Sequence, residues 1–361
     1  MVENIQYTSI PVIIDSGSGF TKIGLANESA PTFIFPTLIG YPRSDANVNE
    51  MNEYYIGEDA VQQRNLLNLV YPIKWSYKSQ IAYSLELVDL HAMETIWDFI
   101  FHKALKINPK KTPVILTDPP FSPTSVKEKI AEIMFELFGV PSLHIAMQAE
   151  LALSVTGKTT GCVVDLGATT TNLVLILEGK VLDNLSSRVH VGGININKYL
   201  QNLFRQRGIL VDLEFANYLK EKFCFISQDP EKDLSYWHKS PSDVFLEKCS
   251  LPNNEIITIG NESFLAPESL LIPSIAGLRE PPLYERIYNT ISEVDYELRS
   301  EFFENILLCG GSSLLSGIKE RLTKELQELV AESIKFNLIT PPNRQYYSWI
   351  GGKMLYSKKN I

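Results

Sequence analysis

A short apolar strand that runs into Asp-x-Gly and then straight into a second strand occurs twice in this chain, at Asp15 and 150 residues later at Asp165. The first copy is Pro11 to Ile14, Asp15-Ser-Gly-Ser-Gly19, then Phe20 to Leu25. The second is Gly161 to Val164, Asp165-Leu-Gly-Ala-Thr-Thr-Thr171, then Asn172 to Leu177. Strand, glycine turn and strand make a hairpin. Two such hairpins at this spacing imply two related halves, and 361 residues are enough for two domains with cores of their own.

The pattern around the hairpins is that of an α/β protein. Apolar positions Met93, Ile96, Trp97, Ile100, Phe101 and Ala104 recur at helical spacing and predict a helix over Leu90 to Leu105. Pro113 to Thr117 reads as a parallel-type strand and Ser125 to Phe138 as the covering helix. After Gly192-Gly193, the stripe Ile196, Tyr199, Leu200, Leu203 and Phe204 marks another helix. Ile256 to Ile259 reads as a strand. Ile306 to Leu308 leads through Cys309-Gly310-Gly311-Ser312-Ser313 into a helix marked by Ile318, Leu322, Leu326 and Leu329. Two polar stretches stand apart: residues 41–60 read as an exposed excursion, and 227–255 as an irregular peripheral insertion.

Several function classes are disfavoured by composition. A net charge of -9 argues against a protein that works by neutralising nucleic-acid phosphates. The first residues carry no basic, apolar leader and no lipidation motif, and the longest apolar runs, such as Leu173 to Leu177, are strand-sized, so a cytoplasmic protein without membrane insertion is expected. Cys162, Cys224, Cys249 and Cys309 are scattered and read as reduced core thiols. No His-Glu-x-x-His pattern occurs, so any metal is expected to be oxygen-bound.

The first hairpin holds the parts of a phosphate site. Gly17 and Gly19 let backbone N–H groups approach anionic oxygens, Ser16 and Ser18 add hydroxyl donors, and Lys22 offsets negative charge. Asp15 would repel phosphate and is better suited to holding water around magnesium or calcium. A single copy is also what an ordinary glycine-rich β-turn looks like. Two copies favour a pair that grips one metal-bound triphosphate. Neither is a P-loop, and neither is a dinucleotide fingerprint, because a strand follows the glycines. Gly310-Gly311-Ser312 suits close approach of backbone to a nucleoside, or equally a packing turn. Lys220-Glu221 alone reads as a solvated helix face.

Taken in order, Asp15-Ser-Gly-Ser-Gly-Phe-Thr-Lys22, Tyr71-Pro-Ile73, Gln148-Ala149, Gly157-Lys-Thr-Thr-Gly161, Asp165-Leu-Gly167, Lys220-Glu-Lys222, Ile257-Thr-Ile-Gly-Asn-Glu262, Gly310-Gly311, Pro341-Pro-Asn-Arg344 and Trp349-Ile-Gly-Gly352 resemble actin and the actin-related proteins. The resemblance runs from about Val12 to Gly352. It implies an actin-like (ribonuclease H-like) α/β fold of duplicated domains, two lobes with four subdomains around a nucleotide cleft. By position, residues 1–36, 73–155 and 346–361 would form subdomain 1, 37–72 subdomain 2, 156–191 and 281–345 subdomain 3, and 192–280 subdomain 4. It further implies ATP or ADP with Mg2+ or Ca2+. Asp15 and Asp165 would hold the metal through water. Ser16, Gly17, Ser18, Gly19, Lys22, Gly167, Ala168 and Thr169 would meet the phosphates, and Lys220, Glu221, Gly310, Gly311 and Ser312 the ribose and base. Gln148, on the helix that serves the family as a hinge, would position water, with Asp165 and Asn172 completing the catalytic set.

The chain also departs from the family pattern. Ala168 replaces an aspartate and Asn172 a histidine, and an amide cannot accept a proton at neutral pH, which implies slow ATP hydrolysis. Gln345 replaces a lysine beside the adenine, and Trp75 a histidine. The inter-subunit loop, residues 42–60, is shorter and carries Asp45, Asn47, Asn49, Glu50 and Asn52 where the family has an apolar tip, so less apolar area is available at about 25 cal/mol per Å2. The chain stops soon after Gly352, a truncated C-terminus by family standards. The plug segment Gly277 to Leu283 carries Arg279 and Glu280 and would need a charged partner. The resemblance therefore implies a nucleotide-controlled filament subunit that associates with itself, with other actin-family subunits or with actin-binding proteins. The departures raise the alternative of a non-polymerising subunit that caps a filament or sits in a larger complex.

Overall fold

The computed structural model describes residues 10–44, 51–75, 86–239, 246–250 and 256–359. The chain forms two compact units, residues 1–159 with 346–361 and residues 160–345. Asp45, Asn47, Asn49 and Glu50 of the loop lie outside the described residues, as does the Trp75 side chain.

The first unit is organised on β1 (Val12–Ser16), which is buried along its whole length. A strand of that kind needs neighbours on both edges, because its backbone polar groups have no water to turn to. β2 (Phe20–Leu25) pairs with it antiparallel through the turn, and β3 (Phe33–Pro36) continues that side. On the other side β4 (Val114–Asp118) and then β5 (Leu143–Met147) run parallel, giving the order β5-β4-β1-β2-β3. The predicted helix at Leu90 is α1 (Leu90–Phe99), whose first turn is capped where the Asp89 carboxylate accepts from Ala92 N–H. It buries Met93, Ile96 and Trp97, and the chain continues as a π-helical turn, Ile100–Ala104. The second predicted helix behaves alike: α2 (Thr124–Glu132) runs into a π-helical turn, Ile133–Leu137. α3 (Gln148–Val155) begins directly after β5.

The second unit repeats the plan. β6 (Gly161–Leu166) is central, β7 (Thr171–Leu177) pairs with it antiparallel, and β8 (Lys180–Val181) and β9 (Ser187–Val189) both pair with β7. β10 (Ile306–Cys309) and then β11 (Leu338–Ile339) run parallel on the far side. Val12, Ile13 and Ile14 sit opposite Val114, Ile115 and Leu116. In the same way Cys162, Val163 and Val164 sit opposite Ile306, Leu307 and Leu308. The duplication inferred from two short motifs therefore extends to a central strand with one antiparallel and one parallel neighbour in each unit. α4 (Gly193–Gln206) lays Ile196, Leu200 and Phe204 into the core of this unit, with α5 (Leu213–Phe223) beside it.

Two expectations are corrected. The described part of residues 227–255 is not irregular: α6 (Pro230–Lys239) is a helix, started by the Asp229 carboxylate accepting from Lys232 N–H, and Glu247–Ser250 is a strand paired with Ile256–Ile259. α6 has no fully buried residue, so its sequence lacks an apolar stripe. Its anchor is Trp237, whose ring lies so close to Gly260 that a Cβ there would meet it at 2.4 Å. Nor is the 41–60 stretch wholly an exposed excursion. Tyr55–Ile56 pairs with Ile39–Pro42, and Ala60 packs with Leu38 and Leu67 in a small core.

Further along the chain are the helices α7 (Glu262–Leu271), α8 (Ile318–Leu329) and α9 (Tyr347–Lys359). α9 belongs to the first unit, where Trp349 is fully buried and its Nε1–H donates to the Ile13 carbonyl at 3.3 Å. A Cβ at Gly351 would lie 2.2 Å from the Leu151 carbonyl oxygen, so only glycine lets α9 reach α3 this closely. None of the described helices is long and apolar enough to cross a membrane.

In the second unit Arg321 of α8, 4% exposed, donates to both carboxylate oxygens of Glu268 on α7, at 2.8 and 3.1 Å, and to the Ser227 carbonyl at 2.9 Å. Removing the cation would leave a buried carboxylate uncompensated. Arg321→Ala is expected to lower the unfolding free energy by about 3–5 kcal/mol in urea denaturation. A loss below about 1 kcal/mol would show that the pair behaves as a surface ion pair.

Candidate functional site

In each unit the Asp-x-Gly hairpin lies at the carboxyl end of the central strand, beside the end of its parallel neighbour, where open α/β sheets present ligand-binding groups. In the first unit Asp15 is near the end of β1 and only 2% exposed. Thr117 Oγ1 donates to Asp15 Oδ1 at 2.6 Å, Gln148 Nε2 donates to the same oxygen at 3.1 Å, and Lys22 Nζ lies 2.9 Å from Oδ2. Gln148 Nε2 also reaches Thr117 Oγ1 at 3.2 Å. Since a carboxylate only accepts, the Gln148 amide must turn its nitrogen to Asp15, which leaves Oε1 as the acceptor it offers elsewhere.

The turn itself is tight, with Gly17 N–H donating to the Phe20 carbonyl at 3.0 Å. Ser18 and Gly19 are partly exposed at its tip. Ser16 is not on the Asp15 face. Strand alternation places it on the opposite side, buried, 3.5 Å from Thr21 Oγ1, which itself is 2.9 Å from Thr37 Oγ1. Thr117 was missed in the sequence reading. Its signal is positional: it follows Leu116, which sits opposite Ile14 on the strand that pairs in parallel with β1.

The second unit reproduces the turn, with Gly167 N–H donating to the Thr170 carbonyl at 3.0 Å. Here the turn carbonyls are also in use. Gly193 N–H donates to Gly167 O at 3.0 Å and Ile194 N–H to Ala168 O at 2.7 Å, so the hairpin caps the N-terminus of α4. Ser312 Oγ donates to Gly167 O at 3.0 Å. Lys220 Nζ donates to Asn217 Oδ1 at 2.7 Å and stands beside Gly193, where an added Cβ would be 3.1 Å from it. Burial pushes the Lys220 ammonium below its ordinary value, with Glu221 acting in the opposite direction. Lys220 is thus no solvated side chain, whereas Glu221 is exposed and accepts from Asn217 Nδ2 at 2.9 Å. Gly167, Gly193, Lys220 and Ser312 form one cluster, and Asn217 is the organiser that sequence reading missed.

Gly310 and Gly311 differ in their reasons for being glycine. Gly310 has φ 83, and a Cβ there would sit 2.4 Å from Asp165 Oδ1. At Gly311 an added Cβ meets nothing within 4 Å. Packing therefore explains the first glycine and not the second. Close by in sequence, Arg344 Nε donates to Ser313 Oγ at 3.0 Å and so ties the following segment to this turn. Next to it, Gln345 Oε1 is buried with no hydrogen-bond partner among the described residues.

Asn172, 4% exposed, lies in register between Asp165 on β6 and Arg188 on β9. Arg188 Nε donates to Asn172 Oδ1 at 2.8 Å.

The family model for actin matches residues 7–216 and 210–361. An "Actin-like protein" of Neurospora crassa is 33% identical over 354 residues, covering 96% of this chain and 90% of that protein. The chain belongs to the actin family. Its fold class is the actin-like α/β fold, and the two units, each with a hairpin on its central strand, show it in this member. Among the described residues no group of three or more His, Cys, Asp or Glu converges as a metal cage. The donor chemistry that remains is one carboxylate per hairpin, Asp15 and Asp165. Each is an oxygen donor of the kind magnesium takes, one in each unit.

Near the second hairpin of this actin-family chain, the His190 imidazole is pushed from 6.5 to about 4, first by burial and then by Arg188 and Arg286. Its folded value lies below its unfolded one, so the unfolded chain takes the proton first as pH falls. The resulting stability is complete above about pH 6.5 and is lost progressively toward pH 4. In a pH series of thermal unfolding, His190→Gln is expected to remove that part of the slope; an unchanged slope would place its origin elsewhere.

Proposed function

We propose that this chain binds ATP or ADP with Mg2+, or Ca2+, through both hairpins, hydrolyses ATP slowly, and serves as a nucleotide-controlled filament subunit. The observation that carries the reading is the duplicated hairpin with an aspartate near the end of each central strand. Two features of the second unit fit a nucleoside: Gly311, glycine for no reason of the protein's own packing, and the buried unpartnered Gln345 Oε1, an acceptor suited to the exocyclic amine of adenine. Asp15 and Asp165 hold the metal through water in this reading, and Ser18, Gly19, Lys22, Ala168 and Thr169 face the phosphates.

In the same reading Gln148 offers Oε1 to orient a water, while Asn172 has its own oxygen engaged by Arg188 and contributes no base. Positioning without a base supports slow turnover. The division into four subdomains, the cytoskeletal location and association with other actin-family subunits or actin-binding proteins belong to this proposal.

One observation favours the non-polymerising alternative, a subunit that caps a filament or sits in a larger complex. Glu280 of the segment Gly277 to Leu283 is engaged within its own unit, accepting from His190 N–H at 3.3 Å with Arg286 3.8 Å away. Sedimentation and negative-stain imaging with Mg-ATP separate the readings, since filaments are expected from the first and none from the second.

Two binding measurements test the site. Gly311→Ala is expected to weaken ATP binding about tenfold, worth about 1.4 kcal/mol, at an unchanged melting temperature. Unaltered affinity would remove Gly311 from the site. Asp15→Ala combined with Asp165→Ala is expected to abolish the Mg2+ dependence of binding, and full retention of that dependence would refute the metal assignment.

A further inference from the structure

The two hairpins can be compared position by position, because the same register runs through both. In the first, Asp15 has Lys22 directly across the strand pair, and the two side chains form an ion pair at 2.9 Å. In the second, Asp165 has the neutral Asn172 in the equivalent place. The cation has moved one strand outward, to Arg188, which stands directly across from Asn172 on β9. Residues in register on neighbouring strands project from the same face, so Asp165, Asn172 and Arg188 form one row.

The bond within that row determines which way the amide faces. An arginine Nε–H can only donate, so the atom of Asn172 that receives it at 2.8 Å must be the oxygen. The Nδ2 group is thereby turned away from Arg188, and the neighbour on the other side of the row is Asp165. Because Asn172 is buried, rotation of the amide would place two donors against each other away from water, an arrangement with no compensating partner. Arg188 and Arg286 are the two charges that, after burial, help keep His190 neutral.

Resting on the nucleotide reading above, we infer that Arg188 is a positioning residue that locks Asn172 with its amide nitrogen toward the phosphate side of the second hairpin. Asn172 then recognises the terminal phosphoryl group of ATP by donating to it. The locked amide makes this hairpin a sensor of ATP against ADP. In the first hairpin Lys22 offers charge at the equivalent place, and charge alone discriminates less by geometry.

The test is equilibrium binding of Mg-ATP and Mg-ADP to the full chain, with melting temperature as the control for folding. The native chain is expected to prefer ATP. Arg188→Met keeps the length of the side chain but has no donor, and should lower the ATP-over-ADP preference about tenfold, the scale of one hydrogen bond to a charged group, with ADP affinity little changed. Arg188→Lys, which can still donate to the amide oxygen, should restore most of it. Asn172→Asp keeps an acceptor for Arg188 but loses the donor and should abolish the preference, the melting temperature reporting whether a carboxylate opposite Asp165 is tolerated. This variant carries the test if Arg188→Met does not fold. A second readout is the Asn172 side-chain amide resonance, expected to shift with ATP and not with ADP. A native chain that binds neither nucleotide would overturn the nucleotide reading and this inference with it. A native chain that binds both equally, or an ATP preference that survives Asn172→Asp, would overturn the inference alone.

Discussion

Asp15 is almost wholly removed from water, and a buried carboxylate costs several kcal/mol unless donors surround it. Its donors come from three separate elements of the first unit: Lys22 from the antiparallel neighbour, Thr117 from the parallel neighbour and Gln148 from the start of a helix. Each is in reach only if the strand order and the register are correct. A one-residue slip between β1 and either neighbour would turn its partner to the other face and leave the charge unsatisfied. The same interaction that prepares the site thus also rewards the correct sheet.

The second unit has the same scaffold with a different charge arrangement. Its turn carbonyls are used to cap α4, its cross-strand partner for the aspartate is an amide, and its arginine lies one strand further out. Duplication preserved what depends on backbone geometry: the Gly-to-carbonyl closure of each turn at 3.0 Å and the mixed pairing of each central strand. Side-chain chemistry at the same positions was free to diverge. That divergence, an amide at Asn172 where the first hairpin has Lys22, is what the proposed slow ATP turnover rests on.

Legibility from sequence followed burial. The strands Phe20–Leu25 and Ile256–Ile259 and the helix Ile318–Leu329 fall where their apolar patterns place them. The helix Pro230–Lys239 was missed because it has no fully buried residue. Its start was nevertheless written as Asp229-Pro230, an N-cap followed by a proline at the first helical position, a local signal independent of hydrophobic period. The segment around Ala60 was misread for a related reason: a few small or isolated apolar residues, Ile56 and Ala60, find partners far away in sequence, and no local period announces that.

The sequence by itself determined the duplicated hairpins, the family, and the identity of nearly every group gathered at the strand ends, since these depend on residue type and order. Only the tertiary structure decided how those groups are oriented. It showed Ser16 turned away from the Asp15 face, Lys220 drawn in beside Gly193 and Glu221 left in solvent. It also separated Gly310, required by its neighbours, from Gly311, required by none, and turned the Asn172 oxygen to Arg188. The reason is physical. Orientation is set by hydrogen bonds and contacts between strands and helices distant along the chain, and a linear pattern carries residue identities without the register that brings them together.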